Sequence, residues 1–233
     1  MDEKLKKGLS LAIVTLLILN IPLILYLLNF KLVAFNKNFY KKEFLKYKIY
    51  DDFPGDDIEV INSDLLYYMR HGKGDEYVNI DLFNDKEKGH LVDVKKIIQT
   101  AFVLLNVSII FSILLIGALF WTDKIGFRKK ISWTLIYGGI FTFFIALVMF
   151  ILIKINFNSF FDGFHKTFFK DGTWLFDEGS DIIRLYTSQF FYDTTLSIVI
   201  RTLAIAFIFI TIGLFSIYRL KRDVKKREHY DCL

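Results

Sequence analysis

Apolar positions fall into four long runs, Gly8–Asn29, Ile97–Trp121, Ile131–Ile153 and Leu196–Tyr218, each uncharged or nearly so. At about 1.5 Å per residue each run can cross a hydrocarbon core of roughly 30 Å. No water is present there to satisfy backbone groups, so each run must be helical. The expected fold class is an all-α integral membrane protein with four transmembrane helices. Lys4, Lys6 and Lys7 precede the first run as in a signal peptide. That run exceeds the roughly 7–15 apolar residues of a cleavable signal and no small-x-small site follows, so an uncleaved anchor is expected.

Between the runs the pattern changes. Residues 30–96 and 155–195 mix charge, short amphipathic stretches and turn signals, and are too long to be connectors. They predict a helical cap on one side of the membrane, built with the four spans into a single membrane domain covering 1–233. In the first of these segments Asn36, Tyr40, Glu43 and Tyr47 recur at helical spacing, on one face of a helix expected to continue the first span directly. Pro54-Gly55 breaks the chain, and Asp57 to Arg70 reads as a second cap helix ended by Gly72. Asn84 and Glu87 have the spacing of a capping box, which opens a helix running unbroken into the second span.

Charge then assigns the sides. The N-terminus, the 122–130 loop and the tail after Tyr218 together hold thirteen cations against six acids, while the rest of the chain is close to neutral. The cation-rich side is cytoplasmic by the positive-inside rule, so both termini are expected in the cytoplasm and the cap outside. The formal charge of +5 is thus a topology signal, and no nucleic-acid partner is expected.

Composition adds an aromatic excess. Apolar residues make up 54% of the chain and aromatics 18%, with 26 Phe and a mean hydropathy of +0.39. That excludes disorder, and the single cysteine, Cys232, excludes an internal disulfide. Spanning helices can be built from aliphatic residues alone, and more than half of the aromatics lie in the cap segments.

The densest cluster is NFNSFFDGFHKTFFKDGTWLF, where Phe157, Phe160, Phe161, Phe164, Phe168 and Phe169 surround His165, and Trp174 and Phe176 follow. An interfacial belt favours Trp and Tyr, whose polar tips reach water, whereas Phe has none. Phe around one titratable group reads as an apolar pocket with a reactive centre, whose burial keeps the imidazole neutral as a general base requires. His90 lies just before the second span, with Asp93 three residues on to orient it. Glu43, on an aromatic face, needs a partner. Arg201, near the outer end of the fourth run, is a functional suspect or a snorkelling cation. His71 and His229 read as solvated. No G-x-S-x-G, H-E-x-x-H, C-x-x-C or P-loop occurs.

The combined pattern FNxxFYxxEFxKYxxY from Phe35 to Tyr50, HLxDV from His90 to Val94, and FHxxFF followed by WLF, Asp181 and FFxD from Phe164 to Asp193 resembles the lipoprotein intramolecular transacylases of low-GC Gram-positive bacteria. It departs from them near Thr187, where a proline is expected. The resemblance implies a membrane acyltransferase acting on diacylglyceryl-modified lipoproteins. It would move the sn-2 acyl chain to the α-amino group of the N-terminal cysteine, giving the lyso form. Its two catalytic histidines would be His90 and His165, one acting as base and the other as acid or oxyanion donor. The residues add Asp93 and Glu43 as supports, and Asn36, Tyr40, Tyr47, Phe161, Phe164, Phe168, Phe169, Trp174 and Arg201 as the substrate-binding set. No covalent acyl-enzyme, cofactor or metal is expected, and a monomer in contact with membrane lipids is. Two alternatives stand beside this reading. One is a metal-dependent lipid or ester hydrolase with Zn²⁺ held by His90, Asp93 and His165. The other is a non-enzymatic membrane sensor with a ligand-binding cap.

Overall fold

A computed structural model of the chain describes residues 2–170 and 172–231, with side chains described through residue 224. Cys232 and the side chain of His229 lie outside the described residues. The elements are all helical: α1 (Glu3–Ala34), α2 (Lys37–Lys46), α3 (Ile49–Asp52), α4 (Ile58–His71), α5 (Asp85–Thr122), α6 (Phe127–Phe168), α7 (Asp181–Leu185) and α8 (Ser188–Asp231). Four of them, α1, α5, α6 and α8, are long and apolar enough to cross a membrane, and each contains one of the four apolar runs. The protein is a multi-pass membrane protein.

The chain divides into two compact units. The first comprises Met1–Asn29, Leu105–Met149 and Val199–Leu233 and holds most of the apolar runs. Several of its polar side chains find partners inside the helix assembly, as a lipid environment favours. The Asn20 amide donates to Ser108 O at 2.9 Å and to Ser112 Oγ at 2.8 Å, the Asn29 amide to Thr202 Oγ1 at 3.2 Å, and Ser132 Oγ to Ser216 Oγ at 2.7 Å. Glycine sets the crossings: a Cβ on Gly138 would lie 2.4 Å from Ile21, and one on Gly213 would lie 2.7 Å from the Ser132 carbonyl.

The second unit comprises Phe30–Leu104 and Phe150–Ile198 and is built around an aromatic core. Tyr40, Phe44, Tyr186 and Phe190 interlock with ring centroids 5.1–6.3 Å apart, over Ile49, Phe53, Ile58, Leu65 and Leu185. Asp57 caps α4 by accepting from Val60 N at 3.1 Å. Gly55, at φ 102°, makes the turn before it. The expected continuous helix beyond the first span is corrected: Asn36 leaves helical geometry at φ −90°, ψ 95° and caps a separate α2 by accepting from Phe39 N at 3.2 Å.

The start of α5 matches its capping-box spacing. Glu87 N donates to Asn84 Oδ1 at 3.0 Å and Asn84 N donates back to Glu87 Oε2 at 2.8 Å. Glu87 Oε1 also accepts from Ile182 N at 3.1 Å, so one buried carboxylate fastens the first turn of α7 to that of α5. Where a proline is expected, Thr187 supplies a helix cap instead, its hydroxyl accepting from Phe190 N at 3.3 Å. Lys95 is fully buried, donates to Glu76 O at 3.1 Å and lies 4.3 Å over the Tyr68 ring, pinning the 72–84 connection to α5.

Candidate active site

All residues of the site lie in the second unit. The first turns of α5, ahead of its apolar run, carry His90. The second histidine depends on a break in α6. At Asn156 the backbone turns to φ −157°, ψ 89°, and Asn156 Oδ1 accepts from Ser159 N at 3.0 Å, so a new helical segment starts just beyond the apolar run. That segment places Phe161, His165 and Phe169 four residues apart, on one face.

His90 and His165 stand with ring centroids 6.3 Å apart and planes 20° from parallel. Both are buried, at 7% and 9% exposure. Phe169 touches both, 4.6 Å from His90 and 5.2 Å from His165. Phe161 at 4.2 Å, Trp174 at 5.0 Å and Phe164 at 5.6 Å complete the wall around His165, and Phe176 packs on His90 at 5.4 Å.

Electrostatics separates the two imidazoles. Burial, helped by the nearby His165, pulls the His90 pKa down to about 4. Burial also lowers His165, against the Phe161 hydrogen bond and the Asp162 charge, which push it back up. Both rings are therefore neutral near pH 7. His165 Nδ1 lies 2.8 Å from the Phe161 carbonyl, which can only accept, so the proton sits on Nδ1 and the lone pair on Nε2. His90 Nδ1 has no partner among the described residues.

The remaining candidates are used differently. Asp93 lies 3.9 Å from Lys96 Nζ and makes no hydrogen bond to His90, which corrects the expectation that it orients that ring. It shares a helix face with both neighbours and is partly exposed, and the Lys96 ammonium it approaches is held closely by Asp75. With Asp93 turned away, the His90, Asp93, His165 triad of the metal reading does not assemble. Among the described residues no three His, Cys, Asp or Glu side chains converge as a metal site. Asn36 caps α2, and Tyr40 donates to Ala34 O at 2.9 Å from within the aromatic core, so both serve the frame. Phe168 packs on Phe164 at 4.8 Å and is exposed, with no ring contact to either histidine. Arg201 belongs to the other unit, is exposed, and forms no ion pair among the described residues.

Glu43 does find a partner, and it is Asp193. Lys46 and Tyr47 both hydrogen-bond Asp193 Oδ2. Burial would raise the Asp193 carboxyl, but the hydrogen bonds from Lys46, Tyr47 and Glu43 outweigh it and hold it below the usual range. Burial, then the hydrogen bond and charge of Asp193, raise Glu43. Glu43 is 3% exposed, and the Lys46 ammonium stands 3.7 Å from its Oε2, beyond hydrogen-bond reach, with no nearer donor among the described residues, surroundings that favour the neutral carboxyl. Glu43→Gln, a neutral isostere, should therefore change stability by less than about 0.5 kcal/mol. Asp193→Asn should cost about 1–2 kcal/mol, the lower part of the range for hydrogen bonds to charge because Lys46 is half exposed. Thermal unfolding in detergent compares them, and equal losses would mean Glu43 is ionised.

Lys86 is the support residue that local pattern does not single out, and for Phe176 and Asp193, which lie in the sequence motifs, the pattern does not give what they touch. Lys86 donates to Leu175 O at 2.6 Å and lies 5.0 Å over the Phe176 ring, bracing the connection that carries Trp174. Their partners are distant in sequence, so no periodicity announces them.

Comparison with known proteins gives a family and a fold. The family model for lipoprotein intramolecular transacylase Lit matches residues 15–191. A solved structure of the membrane-integral lipoprotein intramolecular transacylase of Bacillus cereus superposes with a TM-score of 0.81 at 22% identity, covering 93% of this chain and 99% of that one. A variant of that enzyme with one histidine replaced by alanine gives 0.78 at 21% identity, covering 95% and 100%. At these identities the likeness concerns the fold. An uncharacterised protein of Aquifex aeolicus is 28% identical over 134 residues, 58% of this chain and 56% of that protein, so the match spans just over half of that relative.

Proposed function

Because the chain belongs to the lipoprotein intramolecular transacylase family, we propose that it moves the sn-2 acyl chain of a diacylglyceryl-modified lipoprotein onto the α-amino group of its N-terminal cysteine. The observation that carries this reading is the pair of buried, neutral imidazoles 6.3 Å apart in an aromatic enclosure. An ammonium is inert, so the amine must lose a proton as nitrogen attacks the ester carbonyl. His165 has the free Nε2 lone pair to take it. Its Nδ1–H is held by Phe161 O, so the ring is aimed and its tautomer set.

The new C–N bond forms as the carbonyl electron pair moves onto oxygen. His90, too weakly basic to be charged at pH 7, serves as a neutral N–H donor to that oxyanion. On collapse the C–O bond breaks, and the proton held by His165 passes to the departing sn-2 alkoxide. Nucleophile and ester belong to one molecule, so no acyl-enzyme is needed, and orientation alone reaches effective molarities of about 10⁵–10⁸ M. The aromatic wall keeps out the water that would hydrolyse the ester. The cation-rich termini lie in the cytoplasm, the site faces outward at the membrane surface, and the protein works as a monomer without cofactor or metal.

Incubating the purified protein with a synthetic diacylated lipopeptide tests the reading. Unchanged intact mass, with fragmentation placing one acyl group on nitrogen, is the expected result, and loss of one acyl chain would identify a hydrolase instead.

The pH dependence has a definite sign. The substrate α-amino group, with pKa about 7.7–8.0, must be neutral, so kcat/KM falls with unit slope below that range. His165 must also be neutral, and its pKa lies below its ordinary 6.5. The slope should therefore steepen to two only below pH 6.5. A second break at or above 6.5 would rule out His165 as the base.

A further inference from the structure

Two buried side-chain polar atoms in the site have no partner among the described residues, His90 Nδ1 and Trp174 Nε1. The second is the more telling. A histidine can shift its proton between nitrogens, whereas an indole N–H is a donor only and is met by an acceptor or left unmet. Buried donors without partners are rare in native structures because each carries its full desolvation cost. The ring recorded beside Trp174 is that of His165, which offers no oxygen, and a Phe at 174 would fill similar space without that cost. Trp174 stands 5.0 Å from His165, the ring from which the reaction is driven.

We propose that Trp174 is a further catalytic residue, donating from Nε1–H to the sn-2 ester carbonyl oxygen as it becomes an oxyanion, beside the N–H of His90. The proposal rests on the transacylase reading above. The indole keeps its proton throughout. As nitrogen adds, the carbonyl electron pair settles on the carbonyl oxygen, which accepts the indole N–H, and as the C–O bond breaks that pair returns to restore the carbonyl of the amide. Before substrate arrives the donor is unmet, so the hydrogen bond is made where negative charge develops, the condition under which a contact lowers the barrier.

The donor is also held in place. Gly172, at φ 80°, turns the chain out of α6 two residues before it. Lys86 fixes the next carbonyl, Leu175 O, at 2.6 Å. Lys86 and His90 are one turn apart on α5, so both oxyanion donors are referenced to the same rigid helix.

Trp174→Phe removes the donor and keeps an aromatic side chain. The expected result is a fall in kcat of about 100-fold, the lower end of the range for loss of one oxyanion donor, with KM within about twofold and an unaltered pH profile. Replacing Trp174 by 3-benzothienylalanine, which keeps the bicyclic shape and exchanges N–H for sulfur, should lower kcat equally at an unchanged melting temperature. A rise in KM with unchanged kcat would make Trp174 part of the wall only. Wild-type kcat in the benzothienyl protein would overturn the donor role even if the Phe variant proved unstable. Neither result touches the wild-type product, so failure of the donor role and failure of the transacylase reading are read separately.

Discussion

His165→Ala is expected to lower kcat/KM by roughly 10³–10⁴-fold, the upper range for loss of a positioned general base. That corresponds to about 4–5.5 kcal/mol of transition-state stabilisation. The loss is this large because nothing else in the enclosure can take the proton: the ring neighbours of His165 are four aromatic residues and a second histidine whose pKa of about 4 makes it a much weaker base. His90→Ala should cost less, about 10²–10³-fold, as for loss of an oxyanion donor. His165→Gln separates chemistry from packing, because its amide keeps a donor for the Phe161 carbonyl but cannot act as a base at pH 7. It should be as inactive as the alanine variant while unfolding at a higher temperature. Substantial N-acyl product from either His165 variant would end the assignment of His165 as base.

The largest stability effect is expected at Glu87. Its carboxylate is 1% exposed and accepts from Asn84 N and Ile182 N. Glu87→Ala leaves both buried N–H groups unmet and removes half of a capping box, for a loss of about 2–4 kcal/mol. For a chain of this size that is a fall of roughly 5–15 °C in melting temperature. Glu87→Gln retains one carbonyl acceptor and should lose about half as much. A melting point for the alanine variant within 2 °C of wild type would show that α7 is held some other way. Activity should fall too, because α7 anchors one end of the connection that carries Trp174 and Phe176.

The spans, α4 and the start of α5 could be read from local pattern alone, as could the two histidines as candidates. Bilayer length, a Phe cluster around one histidine and the Asn84–Glu87 spacing are properties of neighbouring residues, and the backbone follows them. What escaped are pairings between residues far apart in sequence. Glu43 plainly needed a partner, but Asp193 lies at the far end of the second cap segment. Lys95 reads as one more interfacial cation, yet it is fully buried against Glu76 O and the Tyr68 ring. Asp93 shows the opposite failure. Helical spacing places it near both His90 and Lys96, but spacing alone does not make a hydrogen bond, and the Lys96 ammonium is held closely by Asp75. The stripe of Asn36, Tyr40, Glu43 and Tyr47 was real as a face, but its residues cap, fill and brace the cap more than they line the enclosure.

The break at Asn156 has a bearing on how the protein is made. His90 leaves the ribosome well before His165, and the apolar runs 97–121 and 131–153 lie between them in the chain. The two rings can meet only after both runs have been threaded through the bilayer and the helical segment beyond the break at Asn156 has formed. An incompletely inserted chain holds one imidazole and no enclosure, so reactivity toward ester-bearing lipids would be withheld until membrane insertion is nearly finished.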